Sequence, residues 1–89
     1  MQRVGDRELT VAARAERGLA SDRLVVAIDG VDVAEGPFGP DQVAGTLLRG
    51  TFEGMSVEAR CGHRWRPGVH IGYRCHVSVE GGEAAELDF

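Results

Sequence analysis

The chain has 89 residues, 43% hydrophobic and 27% charged, with a net charge of −4. That length holds one small domain spanning residues 1–89, able to hide only about 60 to 65% of its unfolded surface, and the balance excludes the polar, highly charged composition of a disordered segment. No apolar run approaches the roughly 20 residues that cross a bilayer, and Met1-Gln2-Arg3-Val4-Gly5-Asp6 lacks the apolar stretch of a signal peptide, so the expectation is a cytoplasmic protein with reduced cysteines and no membrane partner.

Thirteen glycines and three prolines cut the chain into short pieces, the punctuation of strands and turns. Leu9, Val11, Ala13 and Ala15 alternate with Thr10, Ala12 and Arg14, which predicts a strand ending near Gly18. The alanine content and the helical spacing of Val11, Ala12, Ala15 and Leu19 also fit a helix, and the pattern leaves both open. Leu24-Val25-Val26-Ala27-Ile28, stopped by Asp29-Gly30 and resumed by Val31-Asp32-Val33, predicts a β-hairpin, because glycine tolerates the positive φ of a tight turn. Gly36-Pro37-Phe38-Gly39-Pro40 predicts a break, followed by a loop through Asp41-Gln42-Val43-Ala44-Gly45 too short for an independent helix.

The segment 55–79 allows a register to be worked out. Met55, Val57, Ala59, Cys61, His63 and Trp65 alternate with polar residues, as do Val69, Ile71, Tyr73, Cys75, Val77 and Val79 beyond Arg66-Pro67-Gly68. A two-residue Pro-Gly turn would set Arg66 beside the apolar set, whereas a three-residue loop pairs Trp65 with Val69 and keeps the apolar sets together. That register opposes His63 to Ile71, Cys61 to Tyr73, Ala59 to Cys75 and Val57 to Val77. It turns Trp65 and Tyr73 inward, and sends Glu58, Arg60, Arg64, His70, Arg74 and His76 outward, with Arg60 opposite Arg74. The fold class is therefore mostly β, an antiparallel β-sandwich or small barrel built from hairpins.

Asp22-Arg23-Leu24-Val25-Val26-Ala27-Ile28-Asp29-Gly30-Val31-Asp32-Val33 and Gly72-Tyr73-Arg74-Cys75-His76-Val77-Ser78-Val79-Glu80-Gly81-Gly82 are both alternating strands closed by an acidic residue and glycine. With the strand and loop from Leu9 to Ser21, they resemble the β-sandwich domains of the Fas apoptotic inhibitory molecule family. The resemblance covers the outer thirds of the chain. It implies a non-enzymatic role exercised through protein contacts and carries over no catalytic residue.

All ten basic side chains are arginines, and residues 60–76 hold Arg60, Arg64, Arg66 and Arg74 with every histidine and no acid, while Glu80, Glu83, Glu86 and Asp88 follow. A basic strand face of Arg60, Arg64, His70, Arg74 and His76 is the candidate partner-binding surface, suited to an acidic protein or a second copy of the chain. The acidic remainder and the lack of interleaved aromatics on that face disfavour nucleic acid. Cys61, His63 and Cys75 form the competing candidate, a small metal- or thiol-dependent site. Its spacing lacks a zinc knuckle, and core-facing thiols make poor nucleophiles. In the expected register Cys61 and Cys75 are diagonal, too far apart for an easy disulfide. Gly45-Thr46-Leu47-Leu48-Arg49-Gly50 lacks the Lys-Ser/Thr of a phosphate loop, and Asp29, Asp32 and Glu35 lack the spacing of a calcium loop. No catalytic motif, resident metal or cofactor is expected.

Overall fold

The computed structural model describes residues 2–4, 7–19, 21–39, 42 and 44–89, with side chains from residue 8 onward. Of the segments read above, Met1, Gly5, Asp6, Ala20, Pro40, Asp41 and Val43 lie outside the described residues. The strands are β1 (Gln2–Val4), β2 (Arg7–Leu9), β3 (Val11–Glu16), β4 (Asp22–Ile28), β5 (Val31–Phe38), β6 (Thr46–Phe52), β7 (Met55–Arg66), β8 (Val69–Val79) and β9 (Gly82–Asp88). No described residue is helical, so the ambiguous first segment resolves as strand β3.

The turns explain why the sheets form where they do. Asp29-Gly30, Glu53-Gly54 and Glu80-Gly81 each have positive φ at both residues, near 50° and then 80°. This is the backbone of a two-residue turn whose twist matches that of the strands it joins. They close the hairpins β4–β5, β6–β7 and β8–β9. Two antiparallel sheets result, β3-β4-β5 and β6-β7-β8-β9, beside the small β1-β2 pair.

One core lies between the sheets. Leu24, Val26, Ile28, Ala34 and Phe38 meet Leu48, Phe52, Val57, Ala59, Cys61, Tyr73, Cys75, Val77 and Val79 in a single buried cluster. The architecture is thus the sandwich-like form of the expected β class. At one side β5 and β6 approach so closely that a Cβ on Gly50 would overlap the Val33 carbonyl oxygen. Only glycine permits that contact, and the same glycine interrupts the apolar alternation by which β6 could have been recognised.

Val25 is fully buried although it sits outside this core. On the outer face of β4 it pairs with Arg14 of β3 and Glu35 of β5. The Arg14 guanidinium reaches across β4 to hold the Asp32 carboxylate at 2.8 and 2.9 Å, so its stem helps to cover the valine. The unbroken apolar run of β4 is that of a central strand covered on both faces.

One expectation is corrected here. The break at 36–40 does not end the strand: β5 runs through Gly36 and Pro37 to Phe38. Pro37 is tolerated because β5 is an edge strand, where a missing N–H need not interrupt a ladder. The acidic C-terminal segment forms strand β9, paired with β8 from Arg74↔Asp88 to Val79↔Gly82. A bulge there buries both Ala84 and Ala85.

The long hairpin differs from its expected register. Arg66 pairs with Val69 around Pro67-Gly68, a two-residue turn, and Trp65 pairs with His70. The register then shifts so that Ile71 is left unopposed, and Arg64 pairs with Gly72, His63 with Tyr73, Cys61 with Cys75, Ala59 with Val77 and Val57 with Val79. The bulge reconciles the two demands that conflict in the sequence. Pro-Gly chemistry sets the turn, and Gly72, at φ 146°, absorbs the extra residue so that apolar sides align again below it. Arg60 opposes His76 rather than Arg74, and Trp65 is 57% exposed rather than buried.

Candidate functional site

β6 pairs with β7 only as far as Cys61, and β9, extended by Phe89, pairs with β8 only from Tyr73. The residues between, 62–72, form the end of a hairpin that overhangs its sheet. Burial ceases to dictate sequence there: Trp65, Val69 and Ile71 are exposed while carrying large apolar side chains. Exposed apolar residues gathered at one end mark a contact surface more than scattered ones do.

On the outer face the overhang shapes an open groove of about 600 Å³, bordered by Arg60, Arg64, Arg66, Arg74 and His76 with Trp65 at its rim. Four of the five expected partner-binding residues therefore come together. His70 does not join them, because the bulge at Ile71 turns it to the opposite face, beside His63, Trp65 and Tyr73.

Strand β9 neutralises part of the groove. Arg74 donates to both Asp88 carboxylate oxygens at 2.6 and 3.0 Å and lies 3.2 Å from Glu86. Asp88 is also 3.8 Å from Arg64, and His76 is 3.7 Å from Glu83. The hydrogen bonds from Arg74, with its charge and that of Arg64, hold the Asp88 carboxyl below its ordinary pKa. The side chains of Arg60 and Arg66 make no hydrogen bond or ion pair among the described residues.

The inner face of the overhang carries a second hollow of about 280 Å³, lined by Asp22, Phe38, His63, Trp65, His70 and Tyr73 among others. His63 stacks on Phe38 with ring centroids 4.1 Å apart. Its Nε2 lies 3.0 Å from the Gly39 carbonyl oxygen, and its Nδ1 lies 3.0 Å from Nε2 of His70. Tyr73 donates its hydroxyl hydrogen to the Asp22 carboxylate, and burial together with this bond pushes its pKa up to about 12. Asp22, Phe38 and Gly39 gave no sign of this role in the sequence, since only the packing of β4 and β5 against β8 brings them here.

The cysteines require a correction. Cys61 and Cys75 are buried, as expected of core-facing positions, but they are directly opposed, with Cα atoms 4.1 Å apart, and are joined as a disulfide. The altered register makes this possible, since Cys61 would otherwise have faced Tyr73. In the oxidised pair neither sulfur is a thiolate, the form required of a zinc ligand or nucleophile. The Cys61, His63, Cys75 grouping thus has His63 as its one available donor in this state.

Compared with known proteins, the chain matches no family model, no curated protein and no solved structure.

Proposed function

We propose that the chain is a non-catalytic protein-interaction module that binds an acidic protein surface through the outer groove of the β7–β8 hairpin. The observation that carries this reading is the pairing of two unneutralised arginines, Arg60 and Arg66, with the exposed Trp65 along one groove. Tryptophan and arginine are the residues on which binding energy concentrates at protein interfaces. Arg64, Arg74 and His76 complete the basic wall, although Arg74 is engaged by Asp88 and contributes as much to holding β9 as to a partner. The likeness to the Fas apoptotic inhibitory molecule domains implies the same class of role. Because the rest of the chain is acidic, a second copy is the next partner to consider.

The test is titration with a glutamate-rich peptide, followed by the fluorescence of Trp65, the chain's sole tryptophan. Binding should weaken as salt shortens the screening length to about 10 Å at 0.1 M. It should weaken further in the Arg60→Gln/Arg66→Gln variant. A variant that binds as tightly as the parent, or a single-stranded oligonucleotide that binds better than the peptide, would overturn the reading. Sedimentation at rising protein concentration distinguishes self-association.

A further inference from the structure

We propose that His63 and His70 form a binding site for a divalent cation of the zinc and copper class, on the inner face of the overhanging hairpin. The Gly39 carbonyl oxygen can only accept, so Nε2 of His63, 3.0 Å away, carries the ring hydrogen. Nδ1 of the neutral ring is then a bare lone pair. A histidine whose far nitrogen donates to a backbone carbonyl has the arrangement that fixes tautomer and orientation in metal-ligating histidines.

That lone pair does not point into empty solvent. Nε2 of His70 stands 3.0 Å from it. Two nitrogens bound to one ion at about 2.05 Å lie about 2.9 Å apart at a right angle and about 3.3 Å apart at the tetrahedral angle. The observed spacing falls inside that range. When a metal ion takes the place of the shared hydrogen, the exposed His70 passes that proton through solvent to its own Nδ1, and its Nε2 is freed to ligate. His63 is held by its stack on Phe38, and His70 stands edge-on to Tyr73 and Trp65 with centroids 5.0 Å from each.

The surroundings favour positive charge. Asp22 is the one acidic residue among those lining this hollow, and no arginine lines it. Imidazole nitrogen suits zinc, copper and nickel over magnesium or calcium. With both cysteines oxidised, the two histidines are the donors that the inner face of the hairpin supplies, and water or a partner's side chain completes the coordination. The bulge at Ile71 is what makes the pair, because an unbulged strand would turn His70 to the other face.

The oxidised full-length chain should show saturable quenching of Trp65 by copper(II) at about one ion per chain, reversed by chelator. Zinc should raise its melting temperature. His70→Gln, on the exposed hairpin end, should weaken both effects at least about tenfold. His76→Gln, which removes the only histidine of the exposed His76, Glu83 and Glu86 cluster on the other face, should leave them unchanged. Equal binding in His70→Gln, loss of binding in His76→Gln, or no saturation below about 1 mM metal would each overturn the proposal.

Discussion

Tyr73 of β8 donates its hydroxyl hydrogen bond to Asp22, the first residue of β4, and so ties the four-stranded sheet to the three-stranded one at the base of the overhanging hairpin. Tyr73 is the only tyrosine of the chain, so its titration can be followed by phenolate absorbance. The folded pKa of about 12 exceeds the ordinary value of 10.0. A group whose folded pKa is raised lends its full stabilisation below the unfolded value and loses it as the pH rises. Stability should therefore hold up to about pH 10 and fall between about 10 and 12. Tyr73→Phe should cost about 1 to 2 kcal/mol at neutral pH and remove that alkaline slope. A phenolate midpoint near 10 in the folded protein would contradict the buried, Asp22-bonded hydroxyl.

The two aromatic residues of the long hairpin should behave differently on truncation. Tyr73 lies in the core, and Tyr73→Ala should cost about 3 to 5 kcal/mol. Trp65 is largely exposed, and Trp65→Ala should cost less than about 1 kcal/mol while abolishing acidic-peptide binding, read for this variant by calorimetry. Comparable melting temperatures for the two variants would be inconsistent with the bulged register.

The Cys61–Cys75 bridge predicts no free thiol in denaturant without reductant. The bridged residues are 14 apart in sequence, a short closed loop. Reduction should lower stability by about 2 to 3 kcal/mol, observable as a shift of the urea midpoint. Two titratable thiols in the unreduced, unfolded chain would rule the bridge out.

Arg74 and Asp88 join β8 to β9 on the exposed face, and the Asp88 carboxyl has a lowered pKa chiefly through the hydrogen bonds from Arg74. With a depressed folded value, the stabilisation is present above the ordinary carboxylate range and disappears as the pH falls through the folded value. Asp32, held by Arg14, behaves in the same sense. Asp88→Asn should lower stability only slightly at pH 7, since exposed pairs contribute little, and should flatten the acid limb of the stability profile by that same small amount. An unchanged acid limb would show that this pair carries none of the dependence.

Gly50→Ala should be among the most damaging single changes, because the added methyl would overlap the Val33 carbonyl and β5 and β6 would have to separate. A loss of about 3 kcal/mol or more is expected in urea unfolding. Gly62→Ala, where open space surrounds the position, provides the control and should be nearly neutral.

Much of this fold was written in local chemistry. The Asp29-Gly30 turn and the apolar runs beside it specify the β4–β5 hairpin, and the alternation of Val57, Ala59 and Cys61 with that of Cys75, Val77 and Val79 specifies which sides of β7 and β8 face the core. A period of two survives translation from sequence to structure because a half-buried strand has no other way to hide its apolar side chains. The basic composition of 60–76 likewise brought Arg60, Arg64, Arg74 and His76 onto one groove.

Tertiary structure decided what the period leaves free. Between Cys61 and Tyr73 the hairpin has no flanking strand, so turn chemistry rather than burial sets the pairing at its end, and the bulge at Ile71 restores the apolar alignment further down. That one displaced residue brings Cys75 opposite Cys61, sends His70 to His63 and leaves Trp65 in solvent. Asp22, Phe38 and Gly39 enter the same region only because the two sheets pack face to face, an arrangement that no local spacing encodes. The strands could be read residue by residue, but the site depends on the register between them, which is settled by a contest between a turn and a core.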